Sequence, residues 1–347
     1  MFPELFEIPF IHLTVKSYGL MMVIGFILAV SLIRYLSRDI TPDPQLITNA
    51  ALYSLIGGVA GARLFYVVHY FESFKGDLIS VFAIWQGGLE ILGGVILTIT
   101  IIFFYLWYHK LPIRHYLDIL ALGLLLALVF GRIGCFLNGC CFGKPTELPW
   151  AVRFPYGSHV YYSQVRPNPE RNRPERQFEL PDEFFGYTNE KGQWVEGLRP
   201  KKYLTPEQKE KLKKNDKYRS LPVHPTQLYS SAAGVFLCLI LYLFWRRSQN
   251  AAGSKNPLRL FTKPGHIFSL MFIFYGISRF FMEFLRDDNP FEHGWWAIYK
   301  GATVSQNLGI YMTIFGVILA VIFQKMKPGV RYFLGLKPST HCPFSLV

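Results

Sequence analysis

The chain has 347 residues, of which 51% are hydrophobic and only 17% charged, and it carries a net charge of +13. Soluble domains carry about a quarter charged residues, so the composition excludes an ordinary soluble globular protein and describes a polytopic membrane protein. The basic excess lies in short stretches beside apolar runs, as membrane insertion favours, and no basic stripe or RNA-binding motif appears, which excludes nucleic acid as a partner.

Seven apolar runs are long enough to cross about 30 Å of hydrocarbon as helices. In chain order they are Tyr18–Tyr35, Leu46–Val68, Gly87–Trp107, Tyr116–Leu137, Leu228–Trp245, Ile267–Leu285 and Val304–Phe323. The first follows a single basic residue, Lys16, and runs into Arg34 and Arg38 instead of a small-residue cleavage site, so it reads as a span and not a cleavable leader. The expected fold is therefore an all-α polytopic membrane protein with seven transmembrane helices.

Basic residues assign the sides. Arg34 and Arg38 follow the first span, Lys110 and Arg114 the third, Arg246, Arg247, Lys255, Arg259 and Lys263 the fifth, and Lys325, Lys327, Arg331 and Lys337 the seventh. The alternate short loops offer little beyond Lys16, Lys75 and Lys300. Cytoplasmic loops hold the Lys/Arg excess, which puts the N-terminus outside and the C-terminus in the cytoplasm. The organisation expected is residues 1–143 with spans one to four, an inserted extracytoplasmic head at 144–223, and residues 224–347 with spans five to seven and a cytoplasmic tail. The head is rich in Pro and charge. Within it "LTPEQKEKLKK" reads as a short helix with Thr205 as N-cap, Pro206 in the first turn and Glu207 following. "WAVRFPYG" reads as a strand or a membrane-grazing segment. No internal repeat or coiled-coil heptad is present.

Arg63, Arg132, Arg279 and Glu283 fall inside apolar runs. Such residues are expensive in lipid and face a bundle interior or a wet cavity. Each arginine lies five or six residues before the outer end of its run, which at 1.5 Å per residue is about 7–9 Å deep. Guanidiniums gathered at one level call for an anion, and the planar fork of Arg matches phosphate. At that depth the phosphates belong to membrane lipids of the outer leaflet. The bland alternative pairs Arg279 with Glu283 at i,i+4 and lets the others snorkel. Tyr275, Arg279 and Glu283 recur every four residues on one helix face, with Arg286 a turn further on. A polar pocket opening outward disfavours a channel or transporter, whose site lies near the midplane.

"SYGLMMVIGF", "GARLFYVV", "WQGGLEILGG", "GRIGCFLNGCCFG", "HPTQLY" and "YGISRFFMEFLRDD" together resemble the prolipoprotein diacylglyceryl transferase family, in order and across most of the membrane portion. The resemblance implies an enzyme of the bacterial cytoplasmic (inner) membrane that moves the diacylglyceryl group of phosphatidylglycerol to the lipobox cysteine thiol in preprolipoprotein signal peptides. It implies no metal and no cofactor. It assigns Arg132 and Arg279 to the phosphate, with Arg63 assisting and Glu283 orienting Arg279. Tyr18, Asn138, Gly143, His224, Gln227, Tyr229 and Tyr275 would shape the headgroup site. The alternatives are a divergent paralogue that binds phospholipid but modifies another acceptor, and a non-enzymatic lipid-binding or assembly protein.

The family's central motif reads G-R-x-G-N-F-x-N-x-E-x-x-G. Gly131, Arg132, Gly134, Phe136, Asn138 and Gly143 match it, whereas Cys135 replaces the first Asn and Cys140 the Glu. Leu92 stands where the family carries His or Tyr, leaving Glu90 and His224 as candidate bases. Of five cysteines, Cys238 sits in an apolar run as a small core residue. Cys135, Cys140 and Cys141 have three readings: shielded thiols replacing Asn and Glu, a disulfide of Cys135 with Cys140 or Cys141 on the oxidising side, or a metal or redox site that no nearby His completes.

Overall fold

A computed structural model of the chain describes residues 4–8, 13–38, 40–41, 43, 45–75, 78–82, 88–189, 192–215, 218–250 and 263–326. Gly87 at the start of the third run, Cys342, and the basic residues Lys255, Arg259, Lys327, Arg331 and Lys337 lie outside the described residues.

The apolar runs fold as α1 (Ser17–Ser37), α2 (Gln45–His69), α3 (Ile91–Tyr108), α4 (Ile113–Asn138), α7 (Thr226–Asn250), α8 (His266–Met282, extended by a 3-10 turn at Glu283–Leu285) and α9 (Val304–Lys325). Six of these are long and apolar enough to cross a membrane, and α3 is apolar but shorter. The chain is mostly helical but not purely so. Two antiparallel hairpins interrupt it, β1 (Glu4–Ile8) with β2 (Leu13–Lys16) and β3 (Phe185–Thr188) with β4 (Trp194–Leu198).

The long helices pack in pairs, α1 on α4, α2 on α3 and α8 on α9, with α7 against α4 and α8. Lipid offers no hydrophobic drive between helices, so close backbone approach at small residues holds such pairs. The sequence supplies them. A Cβ at Gly61 would lie 2.6 Å from the Gly93 carbonyl oxygen, and one at Gly276 2.6 Å from that of Gly309. Gly134 faces Tyr18 and Met21 of α1.

The two ends of the bundle differ. At one end, Leu36, Ile119, Leu122, Leu125, Leu241, Trp245, Ile267 and Leu270 form an apolar plug where α1, α4, α7 and α8 meet. Asp118 of α4 is buried there and caps α8, its Oδ2 accepting from Gly265 N at 2.7 Å and its Oδ1 from Phe268 N at 3.0 Å. At the other end the same four helices carry Tyr18, Arg132, Gln227 and Arg279, and that end meets the segment 144–223.

This segment has its own core of Tyr156, Tyr161, Val165, Leu180, Phe184, Leu198 and Leu204. It contains α5 (His159–Val165), β3, β4 and α6 (Pro206–Lys214). The helix expected after Thr205 is present, with a full capping box between Thr205 and Gln208. Of "WAVRFPYG", Val152 forms an isolated bridge to Val223. The segment is fastened to the bundle by Phe142, Phe154, Val160 and Val223 and by Arg171, whose guanidinium donates to the Arg286 carbonyl at 2.5 Å.

Candidate active site

Gly139 ends α4 in the left-handed conformation at φ +76°, which glycine adopts without a Cβ penalty. The Gly139 N–H bonds the Phe136 carbonyl at 3.3 Å, and the Cys140 N–H reaches back to Cys135 O at 3.1 Å. This is a Schellman ending, which brings the side chains at its two outer positions into contact; here they are Cys135 and Cys140. Cys141 follows at φ +58°, a strained conformation for a residue with a Cβ. The three thiols are free, and their Sγ atoms all lie within 4.8 Å of one another. Hydrogen bonds from Cys135 and Cys140 pull the Cys141 thiol well below its ordinary value, with the Arg286 and Arg132 guanidiniums adding to the effect.

The segment after the cysteines is clamped from both sides. The N-terminus of α7 grips it through the Gln227 amide, which donates to Cys140 O at 2.7 Å, and the Thr226 hydroxyl, which donates to Cys141 O at 2.8 Å. Gly143 N donates to His224 O at 3.1 Å and His224 N to Lys144 O at 3.0 Å. On the far side Gly143 bridges to Arg286, and Lys144 N bonds Leu285 O at 2.8 Å. Gln227 is fully buried, and its Oε1 has no hydrogen-bond partner among the described residues.

Arg132, Ser230, Tyr275, Ser278 and Arg279 line one small cavity of about 20 Å³ between α4, α7 and α8. Arg132 and Tyr275 lie side by side on its wall and interact electrostatically. Arg279 donates to Ser305 Oγ at 2.5 Å and lies 3.4 Å from Glu283, which is 2% exposed. Glu283 in turn accepts from Asn289 at 2.5 Å and lies 3.7 Å from Arg286. Arg286 is held bidentately by Asp288 at 2.8 and 2.6 Å. The i,i+4 pairing of Arg279 with Glu283 is therefore present; Glu283 and Asp288 balance Arg279 and Arg286, and Arg132 on the same cavity wall leaves the site net positive. Tyr18 lies within electrostatic reach of Arg132 and all three cysteines, Asn138 lies beside Cys140, and the Cys140 thiol donates to the Cys135 carbonyl at 3.7 Å. His224 Nδ1 stands 3.5 Å from the Tyr229 hydroxyl, which accepts from Trp150 at 2.6 Å. Burial lowers the affinity of His224 for a proton.

Arg63 is elsewhere. It is 8% exposed on α2, and its guanidinium donates to the carbonyls of Val81 at 2.7 Å, Gly88 at 2.9 Å and Ser80 at 2.6 Å. It is absent from the residues lining the Arg132–Arg279 cavity. Glu90 belongs to the same region, 3.5 Å from His69, and Leu92 is 59% exposed. Sequence reasoning missed Ser305 and Asn289, which complete the Arg279–Glu283 network. "VSQN" marks the start of α9 as polar at the level of the arginines, but not which of its residues reaches Arg279. A larger cavity of about 720 Å³ lies in the head, lined by Arg153, Lys201, Lys209 and Arg219 over Phe154, Tyr156 and Tyr218.

Residues 3–322 match the sequence model of the family described as prolipoprotein diacylglyceryl transferase. The chain belongs to that family. Curated members resemble it along most of their length. The phosphatidylglycerol–prolipoprotein diacylglyceryl transferase of Roseobacter denitrificans is 28% identical over 340 residues, covering 92% of this chain and 94% of that protein. The transferase of the same name from Aeromonas hydrophila is 29% identical over 322 residues, 90% of this chain and 88% of its own. That of Clostridium tetani is 28% identical over 288 residues, 83% and 86% respectively. The family match runs through the cysteine-bearing end of α4, so Cys135 and Cys140 stand inside the shared fold.

Proposed function

We propose that this protein transfers the diacylglyceryl group of phosphatidylglycerol to a cysteine thiol of prolipoproteins, the reaction named for its relatives. The observation that carries the reading is the convergence of Arg132 and Arg279 on one cavity in a chain of this family. The acceptor thiolate attacks a glycerol carbon, the carbon–oxygen bond breaks, and glycerol phosphate departs with a thioether left behind. Charge builds on the departing phosphate. Prepositioned guanidiniums in a site shielded from water stabilise such charge far more than in bulk solvent. Glu283 holds Arg279 in place, and Tyr275 packs beside Arg132 in the same cavity. Tyr18, Asn138, Gly143, His224, Gln227 and Tyr229 frame the headgroup space. Arg63 acts by holding the carbonyls of Ser80, Val81 and Gly88, away from the phosphate.

The setting that goes with this reading is the bacterial inner membrane. Seven spans, α3 included, run with the N-terminus outside and the tail in the cytoplasm, and the head at 144–223 lies on the outer side. Phosphatidylglycerol enters from the surrounding lipid, and the acceptor is the lipobox of a signal peptide. Purified protein with phosphatidylglycerol and a lipobox peptide tests this directly. The peptide should gain the mass of one diacylglyceryl group, and a peptide with Ser for the lipobox Cys should gain nothing. No mass gain with lipid bound at the site would sink the assignment.

A further inference from the structure

Three sulfurs converge beside the arginines, and the fold makes that convergence. The Schellman ending of α4 sets Cys135 against Cys140, and the left-handed Cys141 turns its thiol into the same space. Gln227 and Thr226 fix the backbone carbonyls of Cys140 and Cys141, so the trio is held and does not trail from a loop. Tetrahedral zinc with zinc–sulfur bonds of about 2.3 Å places its sulfurs about 3.8 Å apart. Sulfurs already within 4.8 Å of one another reach that spacing by small side-chain rotations. No His, Asp or Glu joins the three cysteines among the described residues. The ligand set is thus three soft thiolates with a fourth position open, which is the form of a catalytic rather than a structural zinc site.

We propose that Cys135, Cys140 and Cys141 bind one zinc-class divalent ion, and that its open position takes the thiol of the acceptor cysteine. The second half rests on the transferase reading above. A thiol that coordinates zinc is deprotonated outright, and the thiolate is the nucleophilic form. The acceptor releases its proton to solvent as it binds. Its sulfur then forms the bond to the glycerol carbon, the carbon–oxygen bond breaks, and the electron pair leaves on the oxygen of glycerol phosphate. The resulting thioether is a weaker ligand and dissociates. Nothing is oxidised or reduced. Three thiolates around a divalent ion carry one net negative charge, and the acceptor adds a second. Arg132 and Arg286, the guanidiniums beside Cys141, offset them.

The test uses the full chain, purified under reducing conditions in detergent, stripped with a chelator and reloaded with Zn²⁺ or Co²⁺. One ion should bind per chain, and the Co²⁺ form should show sulfur-to-metal charge-transfer absorption. Cys140→Ser and Cys141→Ser should each weaken binding at least tenfold, while Cys238→Ser binds as the unaltered protein does. Strip-and-reload on the unaltered chain keeps the result independent of whether a variant folds. Adding a lipobox peptide to the Co²⁺ form should strengthen the charge-transfer band, and the Ser peptide should not. Absence of stoichiometric metal, or a disulfide from Cys135 to Cys140 or Cys141 in protein taken directly from membranes, would overturn the site. A loaded site blind to the peptide would overturn its role as acceptor site. Full diacylglyceryl transfer by stripped protein would do the same while leaving the transferase reading intact. Stoichiometric metal with no transfer would instead count against the transferase reading.

Discussion

Gly143 lies so close to His224 that a Cβ on the glycine would sit 2.5 Å from the His224 Cβ and 2.6 Å from its carbonyl oxygen. The glycine is needed for closeness and not for an unusual φ, because the cysteine segment, the start of α7 and the end of α8 meet across it. Gly143→Ala must push α7 away from α4. Overpacking of this kind costs about 1–3 kcal/mol, so the variant should melt earlier in detergent and lose most transferase activity. A variant with unchanged melting and turnover would show that the contact is not tight.

Arg132→Ala and Arg279→Ala should each lower turnover by about 10²–10³-fold, the usual loss when one prepositioned donor to a developing oxyanion is removed. Arg279→Lys should recover little, since a point charge does not replace the planar fork. Turnover should be measured by peptide mass at saturating lipid, with full activity in either alanine variant counting against the phosphate assignment.

Arg63→Gln should behave differently. It takes the guanidinium donor from the part-buried carbonyls of residues 80, 81 and 88, and a hydrogen bond is worth about 0.5–1.5 kcal/mol net. Thermal stability should fall while the folded fraction keeps its turnover. A selective loss of turnover with unchanged melting would return Arg63 to the phosphate.

Asp118→Ala removes the carboxylate that caps α8 from α4. Loss of an N-cap costs about 0.5–2 kcal/mol. The variant should melt earlier with the site at the opposite end of the bundle unaffected, so activity per folded molecule should hold. Equal loss of both would mean that the two ends are coupled.

His224 predicts a pH effect. Burial lowers its proton affinity below the ordinary value of 6.5. The unfolded chain therefore binds a proton here that the folded one resists, and linkage makes stability fall as pH drops through 6.5 toward the folded value. Melting temperature between pH 7 and pH 5 should decline less steeply in His224→Gln. Parallel curves would show that another group sets the decline.

The long helices were legible because lipid enforces their length and apolarity. Tyr18–Tyr35 became Ser17–Ser37, and Leu46–Val68 became Gln45–His69. The spacing of Tyr275, Arg279 and Glu283 was legible because one helix face carries all three. The placement of Arg63 away from the Arg132–Arg279 cavity was not legible, because depth along a helix says nothing of rotation about it, and its carbonyl partners come from residues with no pattern to mark them. Asp118, hidden in "YLDILALG", was passed over as a charge within an apolar run because its purpose lies in the backbone of α8. The hairpins escaped for the same reason: their pairing is set by contacts between segments and not by any run. The cysteines were visible, but whether their sulfurs met depended on how α4 ends.

The order of helix pairing has a consequence for biosynthesis. Chain emerging from a ribosome can zip α2 to α3 as soon as both have entered the bilayer, but α1 must wait for α4, and α8 for α9. The arginine cavity draws on α4, α7 and α8, with the large head segment threaded between the first of these and the second. Until α8 arrives, α4 carries Arg132 without the cavity partners Tyr275 and Arg279. The arginine cavity comes into being only when the last third of the polypeptide arrives, which makes this protein a demanding client for whatever machinery inserts and shelters it.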